Sequence, residues 1–478
     1  MIALWQSSFI SPSVNLEGPR FGMRGGASGR PAHMGKFVYF YHHLGLLPLA
    51  TLLDEPENTK EAALNILNEQ PQTLRTEIGI ATRFGDLGRI LLLMPSVWLG
   101  ASPHQPKLQP LYYPLFCLLL WGLFVALWYR GYCVLAVSLT LLVGSHPFQL
   151  LEVYRTENFH GWHIFNALAL LILCLPYFES AENSKYPHVR LWLWPALAGL
   201  WLGFAKSIRP EILAMGLSPL VIYALAPLFS KWQKVVMMLG FVLAFVSVNQ
   251  SLKLYFEHKT AQANRVLLEH GGIPHVGKRD THHQFWHPLW CGLGDFDRKY
   301  GHCWNDIVAA HRTVPELIEQ TGIPFKWPVP FPEGCSIMDE NGLYVITPYE
   351  QPEHERILRN EVLHRLRTDP FWYAEILLKR VRFLFTSTPP PSLKVGPYHI
   401  RLPLWGGLFF VLALVWAWFK RDGFALRLLL FSTPMAATAL GIYALKGNAD
   451  YVLFPVVAVA VLISYSLRRI SKVWPAKL

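Results

Sequence analysis

The chain has 478 residues, of which 52% are hydrophobic, 16% charged and 14% aromatic, and its formal net charge is +11. A soluble globular domain carries about 25% charged residues, so this composition excludes an ordinary water-soluble enzyme and marks a polytopic α-helical membrane protein. The basic balance fits cytoplasmic loops and anionic headgroups rather than nucleic acid, and six cysteines in such a length make no disulfide scaffold.

Residues 1–36, rich in Gly, Pro and Arg without a long apolar core, are expected to form a flexible cytosolic tail. A transmembrane helix needs about 20 mainly apolar residues. Nine segments meet or approach that length: 111–129, 131–149, 163–179, 191–206, 209–229, 233–250, 404–419, 424–445 and 450–467. Two more are weaker: 37–53, which contains His42 and His43, and 89–102, which is short and has a central Pro95. The Lys/Arg bias of short loops sets orientation. Arg468, Arg469, Lys472 and Lys477 place the C-terminus in the cytosol, and Lys420-Arg421, Lys231, Lys234, Arg190 and Arg130 follow in alternation. The N-terminal tail agrees if 37–53 crosses and 89–102 does not. The expectation is about ten spans with both termini cytosolic, as in a bacterial inner or plasma membrane. Residues 37–250 then form an N-terminal transmembrane module, 251–402 an extracytoplasmic soluble insert of mixed α and irregular structure, and 403–478 the last helices and a basic tail.

Three external stretches break the bland pattern. The first loop opens with Asp54-Glu55 at the membrane mouth, where a carboxylate could solvate the helix end or act as a general base. Its apolar residues Ala62, Leu64, Ile66 and Leu67, and later Ile78, Ile80 and Ala81, recur at helical spacing, the pattern of amphipathic helices lying on the interface. The second loop carries Glu152, Arg155, Glu157 and His160 within nine residues. Lys206-Ser-Ile-Arg209-Pro210-Glu211 then puts two cations on the outer side, against the positive-inside bias. Ionisable groups at membrane depth are functional by default, and Arg and Lys both bind phosphate; a salt bridge with Glu211 is the competing reading.

The insert holds eight of the 19 histidines between His258 and His311. His283 and His287 stand four apart, yet Pro288 argues against a continuous helix, and Cys291 and Cys303 form no CxxC pair. Asp295 and Asp297 could bind a hard cation through oxygen, so a divalent ion such as Mg or Mn stays open. Trp286, His287, Trp290 and Asp295 crowded beside Gly294 fit a carbohydrate pocket, against the alternative of a Trp-rich core with satisfied histidines.

This layout resembles the GT-C superfamily of membrane glycosyltransferases, the group of protein O-mannosyltransferases and aminoarabinose transferases. Acids follow the first span, where that family places a catalytic carboxylate. Lys206 to Glu211 looks like its Arg-Pro-Glu element. Asp450-Tyr451-Val-Leu-Phe-Pro455 is similar to its RYxxP helix start, with Asp450 in place of the Arg. The resemblance implies a polyprenyl-phosphate-linked sugar donor whose phosphate is held by Lys206, Arg209 or Arg155. Asp54 or Glu55, with Glu152 in reserve, would deprotonate an acceptor hydroxyl for one inverting displacement. Glu157, His160, His283, Trp286, His287, Trp290 and Asp295 would meet the sugar or a glycan, lipid or protein acceptor. Two rivals remain: an O-antigen-ligase-like enzyme with its Arg/His site in the large loop, and a transporter or flippase, which should show inverted repeats and midplane charges.

Overall fold

The computed structural model describes residues 29–51, 56–76, 88–104, 106, 108–146, 153, 161–178, 193–272, 285–303, 306–322, 337–338, 344–346, 352–386, 392–395, 398–401, 406–441 and 453–473. In chain order the elements are α1 (Gly29–Leu44), β1 (Ala50–Thr51), α2 (Lys60–Glu69), β2 (Leu74–Arg75), α3 (Gly88–Trp98), α4 (Gln109–Tyr129), α5 (Cys133–Ser145) and α6 (Gly161–Cys174). There follow α7 (Leu193–Ile208), a 3-10 turn at Pro210–Gly216, α8 (Leu217–Leu225), α9 (Lys231–Glu269), α10 (Trp286–Gly292) and α11 (Asp306–Thr321). The remainder is β3 (Ile337–Met338), β4 (Tyr344–Ile346), α12 (Pro352–Thr368), α13 (Pro370–Thr386), β5 (Ser392–Val395), β6 (Tyr398–Arg401), α14 (Gly406–Phe419), α15 (Gly423–Gly441) and α16 (Leu453–Val473). The strands form three separate antiparallel pairs, β1 with β2, β3 with β4 and β5 with β6.

Two compact units result. One contains 109–249 and 380–478 together with 1–25; the other joins 26–108 to 250–379. Within the second unit, α2 of the first loop shares a core with Ala263 and Leu267 of α9.

The first unit is a bundle of apolar helices. Among the described residues, Leu111–Tyr129 and α9 are long and apolar enough to cross a membrane; six of the seven shorter apolar helices belong to this unit, and the seventh, Gly88–Trp98, to the other. Leu118, Trp121, Trp128, Leu243, Trp418 and Phe419 are each at least half exposed. So much apolar surface is untenable in water and is natural against lipid. Packing fixes the helix directions. Trp162 at the start of α6 stacks on Trp201 midway along α7, at 5.7 Å between rings. A Cβ on Gly216 would lie 2.7 Å from Leu202 Cδ2; the chain therefore doubles back after Arg209. Gly199 and Gly203 of α7 press on α9, where a Cβ would meet the Phe241 carbonyl oxygen and Val248 respectively. This small-xxx-small stripe lets the two backbones approach closely, and it runs them in the same direction. Ser138 of α5 reaches the Ala460 carbonyl of α16, and both Arg427 Nε and Nη2 donate to the Phe178 carbonyl.

α9 does not stop near 250 as its hydropathy does. Residues 250–269 stay helical because no Gly or Pro interrupts them, and the break comes at Gly271, with φ +78°.

The second unit corrects two expectations. The run 37–53 is not one crossing helix: α1 ends at Leu44, Gly45 takes φ +67°, and the chain passes into β1. Lys259 Nζ donates to the freed Gly45 carbonyl at 3.0 Å. Nor does α2 lay its apolar face on lipid. Ala63, Ile66 and Leu67 are buried with Tyr39, Phe40, Leu74, Ala263 and Leu267, because a protein partner was available for that face. The other predicted interfacial stretch, at Ile78, Ile80 and Ala81, lies outside the described residues. Farther on, α10, α11, α12 and α13 supply a second core that includes Trp290, Leu317, Leu358 and Trp372.

Candidate active site

Asp54 and Glu55 themselves lie outside the described residues, but both ends of their segment are anchored. On one side β1 pairs with β2, Ala50 facing Arg75 and Thr51 facing Leu74. On the other, Tyr39 Oη donates to the Glu57 carbonyl at 2.8 Å and His43 Nε2 bonds Asn58 Oδ1 at 2.9 Å. Thr59 caps α2 by accepting from the Ala62 N–H at 3.0 Å. The Tyr39 ring is clamped against His104, 4.3 Å away, and His43, 4.8 Å away.

The cationic element is formed by a helix break. Arg209 is extended, with φ −143° and ψ 98°, as the residue before proline must be when the α region is sterically closed. Pro210 then opens the 3-10 turn, where its missing N–H costs nothing. Lys206 in the last turn of α7 donates to Asn249 Oδ1 of α9 at 2.7 Å, and Arg209 is 6% exposed. Trp162, at the start of α6, and Trp201, midway along α7, are stacked, and each indole N–H is buried without a hydrogen-bond partner among the described residues. Buried donors and cations of this kind stabilise an anion. Trp201 and Asn249 carried no signal in the sequence, since one sits in an apolar run and the other in a span. Glu152, Arg155, Glu157 and His160 lie outside the described residues, as do Asp450 and Tyr451; Leu453 begins α16. The Glu211 side chain is likewise undescribed, so its competing salt bridge is not seen.

In the insert, Pro288 does not break the helix: it is the third residue of α10, within the first turn, where proline is tolerated. His283 lies outside the described residues. His287 belongs to a buried chain. Thr313 Oγ1 donates to the Ala310 carbonyl at 3.1 Å and pairs with His354 Nδ1 at 2.8 Å, while His354 Nε2 pairs with His287 Nδ1 at 3.1 Å. Thr313, His354 and His287 thus form one hydrogen-bonded chain, in which the tautomer of His354 decides the direction of each bond. Glu355 accepts the backbone N–H groups of Phe285, Trp286 and His287 at 2.8–2.9 Å. Burial pushes its carboxyl up, with those three bonds pulling the other way.

Trp290 is 1% exposed, its ring 4.7 Å from the His302 ring, so it is core rather than an open platform for sugar; Trp286 is half-buried. His302 stacks on Trp372 at 5.8 Å, and neither ring nitrogen has a partner among the described residues. Burial lowers its pKa to about 4. Gly294 makes this fold possible, since a Cβ there would collide with the His302 carbonyl. Asp297 accepts from Trp372 Nε1 at 3.1 Å, a bond that spends it on structure. No group of three or more metal-ligating side chains occurs among the described residues.

No family model matches the chain, and no curated protein matches it. Its structural neighbours are two structures of an archaeal oligosaccharyltransferase from Archaeoglobus fulgidus. One is tethered to an acceptor peptide containing the NVT sequon, with 14% identity and a TM-score of 0.34 over 93% of this chain and 46% of that one. The other, named AglB, is in complex with an inhibitory peptide and a dolichol-phosphate, with 14% identity and a TM-score of 0.35 over 94% and 48%. The chain spans about half the length of the structures it matches. With a likeness this distant, its chemistry has to be argued from its own residues.

Proposed function

We propose that the chain is an integral-membrane glycosyltransferase that moves a sugar from a polyprenyl-phosphate-linked donor to an acceptor on the extracytoplasmic side. The supporting observations are Lys206 in the last turn of α7, the buried Arg209 that follows the helix, and the buried N–H groups of Trp162 and Trp201. A carrier phosphate presents oxygens at that depth while its tail stays in lipid, and it asks for donors without acceptors. Arg155, six residues before Gly161, is a third cation for the same task. Asp54 or Glu55 serves as general base toward the acceptor hydroxyl, with Glu152 in reserve. The attack inverts the anomeric carbon, the C–O bond to phosphate breaks, and the leaving phosphate keeps the electron pair. Stabilising that charge is the larger electrostatic task. Trp286 and His287 of the insert are proposed to meet the acceptor.

The test is binding of a polyprenyl phosphate to the purified chain in lipid nanodiscs. Arg209→Ala should abolish most of it and Arg209→Lys should restore part, since the planar fork is lost. Unchanged binding in both variants refutes the phosphate assignment.

A second reading is favoured by the Thr313–His354–His287 chain, which orients the His287 ring: an O-antigen-ligase-like transferase with its base in the insert. In that enzyme His287→Gln is inactive while Asp54→Asn and Glu55→Gln turn over normally.

A further inference from the structure

We infer that the outer face of α12, together with the start of α10, binds an acidic glycan, with its sugar rings on Phe285 and Trp286 and its anionic groups on Arg356, Arg359 and Arg367. The inference rests on the glycosyltransferase reading and names the class of the acceptor; every residue in it belongs to the second unit. Arg356, Arg359, Asn360, His364 and Arg367 are all exposed. Their spacing of three and four residues puts them along one side of the helix, and at 1.5 Å per residue Arg356 and Arg367 stand about 17 Å apart. The nearby acids are engaged elsewhere. Glu355 accepts three backbone N–H groups of α10, Glu361 pairs with Arg312, and Asp369 takes Lys299 and Tyr300. That leaves Glu353, in the first turn, as the remaining acid of α12. Arg359 and Arg367 make no ion pair or hydrogen bond among the described residues, and Arg356 donates to the neutral Gln320 side chain. A cation in the last turn suits the helix dipole, which accounts for Arg367 but not for Arg356 or Arg359.

Two further observations select a glycan as the occupant. First, flat rings adjoin the cations. Phe285 is 52% exposed and Trp286 half-buried, and their rings meet edge to face at 5.1 Å. Glu355 holds the backbone N–H groups of both at 2.9 Å. It immediately precedes Arg356 and lies one turn before Arg359 on the same side of the helix. Aromatic faces take the C–H side of a sugar ring, and guanidinium forks grip carboxylate or phosphate in paired hydrogen bonds. Second, the face offers nothing to lipid. The exposed residues of α12 are all polar, because Ile357, Leu358 and Val362 are buried in the core. A helix that rests on a membrane needs an apolar face for the boundary between headgroups and acyl chains, and α12 has used its own against protein.

The experiment is calorimetric titration of an oligogalacturonate, which carries a carboxylate on every ring, into the full chain in phosphatidylcholine nanodiscs. Neutral maltodextrin of the same length should not bind, and added salt should weaken the oligogalacturonate, since exposed charges are screened. Arg359→Gln combined with Arg367→Gln should weaken it by about 2- to 30-fold, the worth of two exposed ion pairs. Arg265→Gln, which removes another exposed cation of the same unit, should not. Phe285→Ala should weaken the oligogalacturonate and leave binding of a polyglutamate of equal charge unaltered. Polyprenyl-phosphate binding should be the same in all these variants, so failure of this site is separable from failure of the donor site, which Arg209→Ala reads. Equal binding of maltodextrin, or full oligogalacturonate binding by the double arginine variant, overturns the inference. So does polyglutamate binding as tightly with Phe285→Ala changing neither ligand, because the partner is then an acidic peptide. Phosphatidylglycerol in the nanodisc abolishing the binding also overturns it, because the face then lies on the membrane.

Discussion

In the insert, Lys299 meets Asp369 at 2.5 Å and Arg312 meets Glu361 at 3.1 Å, with the Lys299 and Arg312 side chains about half exposed. In the helical unit, Arg209 is 6% exposed at the end of an apolar hairpin, with Lys206 one turn away held by the neutral side chain of Asn249. Water screens the first kind of charge and makes it cheap to keep and cheap to lose. The second is costly to maintain away from water, so a chain that keeps it gains something other than stability. The same contrast divides the histidines: His354 is buried and bonded on both nitrogens, whereas His302 is buried and among the described residues bonded on neither.

The largest effect that bears on this contrast should come from the first loop. General-base catalysis contributes about 10²–10⁴-fold, so Asp54→Asn or Glu55→Gln should cut turnover by that range in a single-turnover assay while donor affinity stays constant. If both amides are active and Glu152→Gln is dead, the base belongs to the second loop instead.

Next is the pH dependence of the insert. The folded pKa of His302 is about 4, below the ordinary 6.5, because burial dominates; Glu361 and Asp297 oppose the shift while Arg365 and Arg312 reinforce it. Above pH 6.5 the group is neutral in both states and contributes nothing. As pH falls from 6.5 toward 4, the unfolded chain takes up a proton that the folded insert refuses, so stability drops and then levels off. The loss should total about 3 kcal/mol, read by hydrogen exchange at Leu358 and Trp372 across that interval. His302→Phe should flatten the profile; an unaltered slope would assign the titration to another group.

The cationic element comes third. Arg209→Ala should weaken polyprenyl-phosphate binding by about 1.5–3 kcal/mol, the worth of a charge-assisted bond, with Trp201→Phe producing a smaller loss from one missing donor. Smallest of all, Arg312→Gln should change the unfolding free energy of the insert by at most about 1 kcal/mol; a drop as large as that of Arg209→Ala would erase the distinction between the two regions.

Periodicity and hydropathy made the helical unit legible. The segments 111–129, 191–206 and 404–419 appear as α4, α7 and α14 within two residues at each end, because apolar length is a local property that the membrane reads as the eye does. The break at Arg209 was legible for the same reason, since Pro210 acts on its immediate neighbour. What escaped depends on distance in sequence. Nothing near Ala63 or Leu67 announces that Ala263 and Leu267 will cover them. Thr313 and His354 look ordinary until folding sets them against His287. Nor does anything near Trp286 announce that Glu355, 68 residues away from His287, will cap the start of α10.

The glycines at 199 and 203 act as a spacing gauge. No hydrogen bond joins the backbones at that contact among the described residues; the distance between α7 and α9 is set there by the absence of two methyl groups. Alanine at Gly199 would act as a wedge, with Lys206 and Asn249 beyond it as the jaws that open. Tolerance to substitution along α7 should therefore be lowest at two residues that carry no chemistry, and a small molecule able to lodge between these helices would disable the cationic element without ever touching a charged side chain.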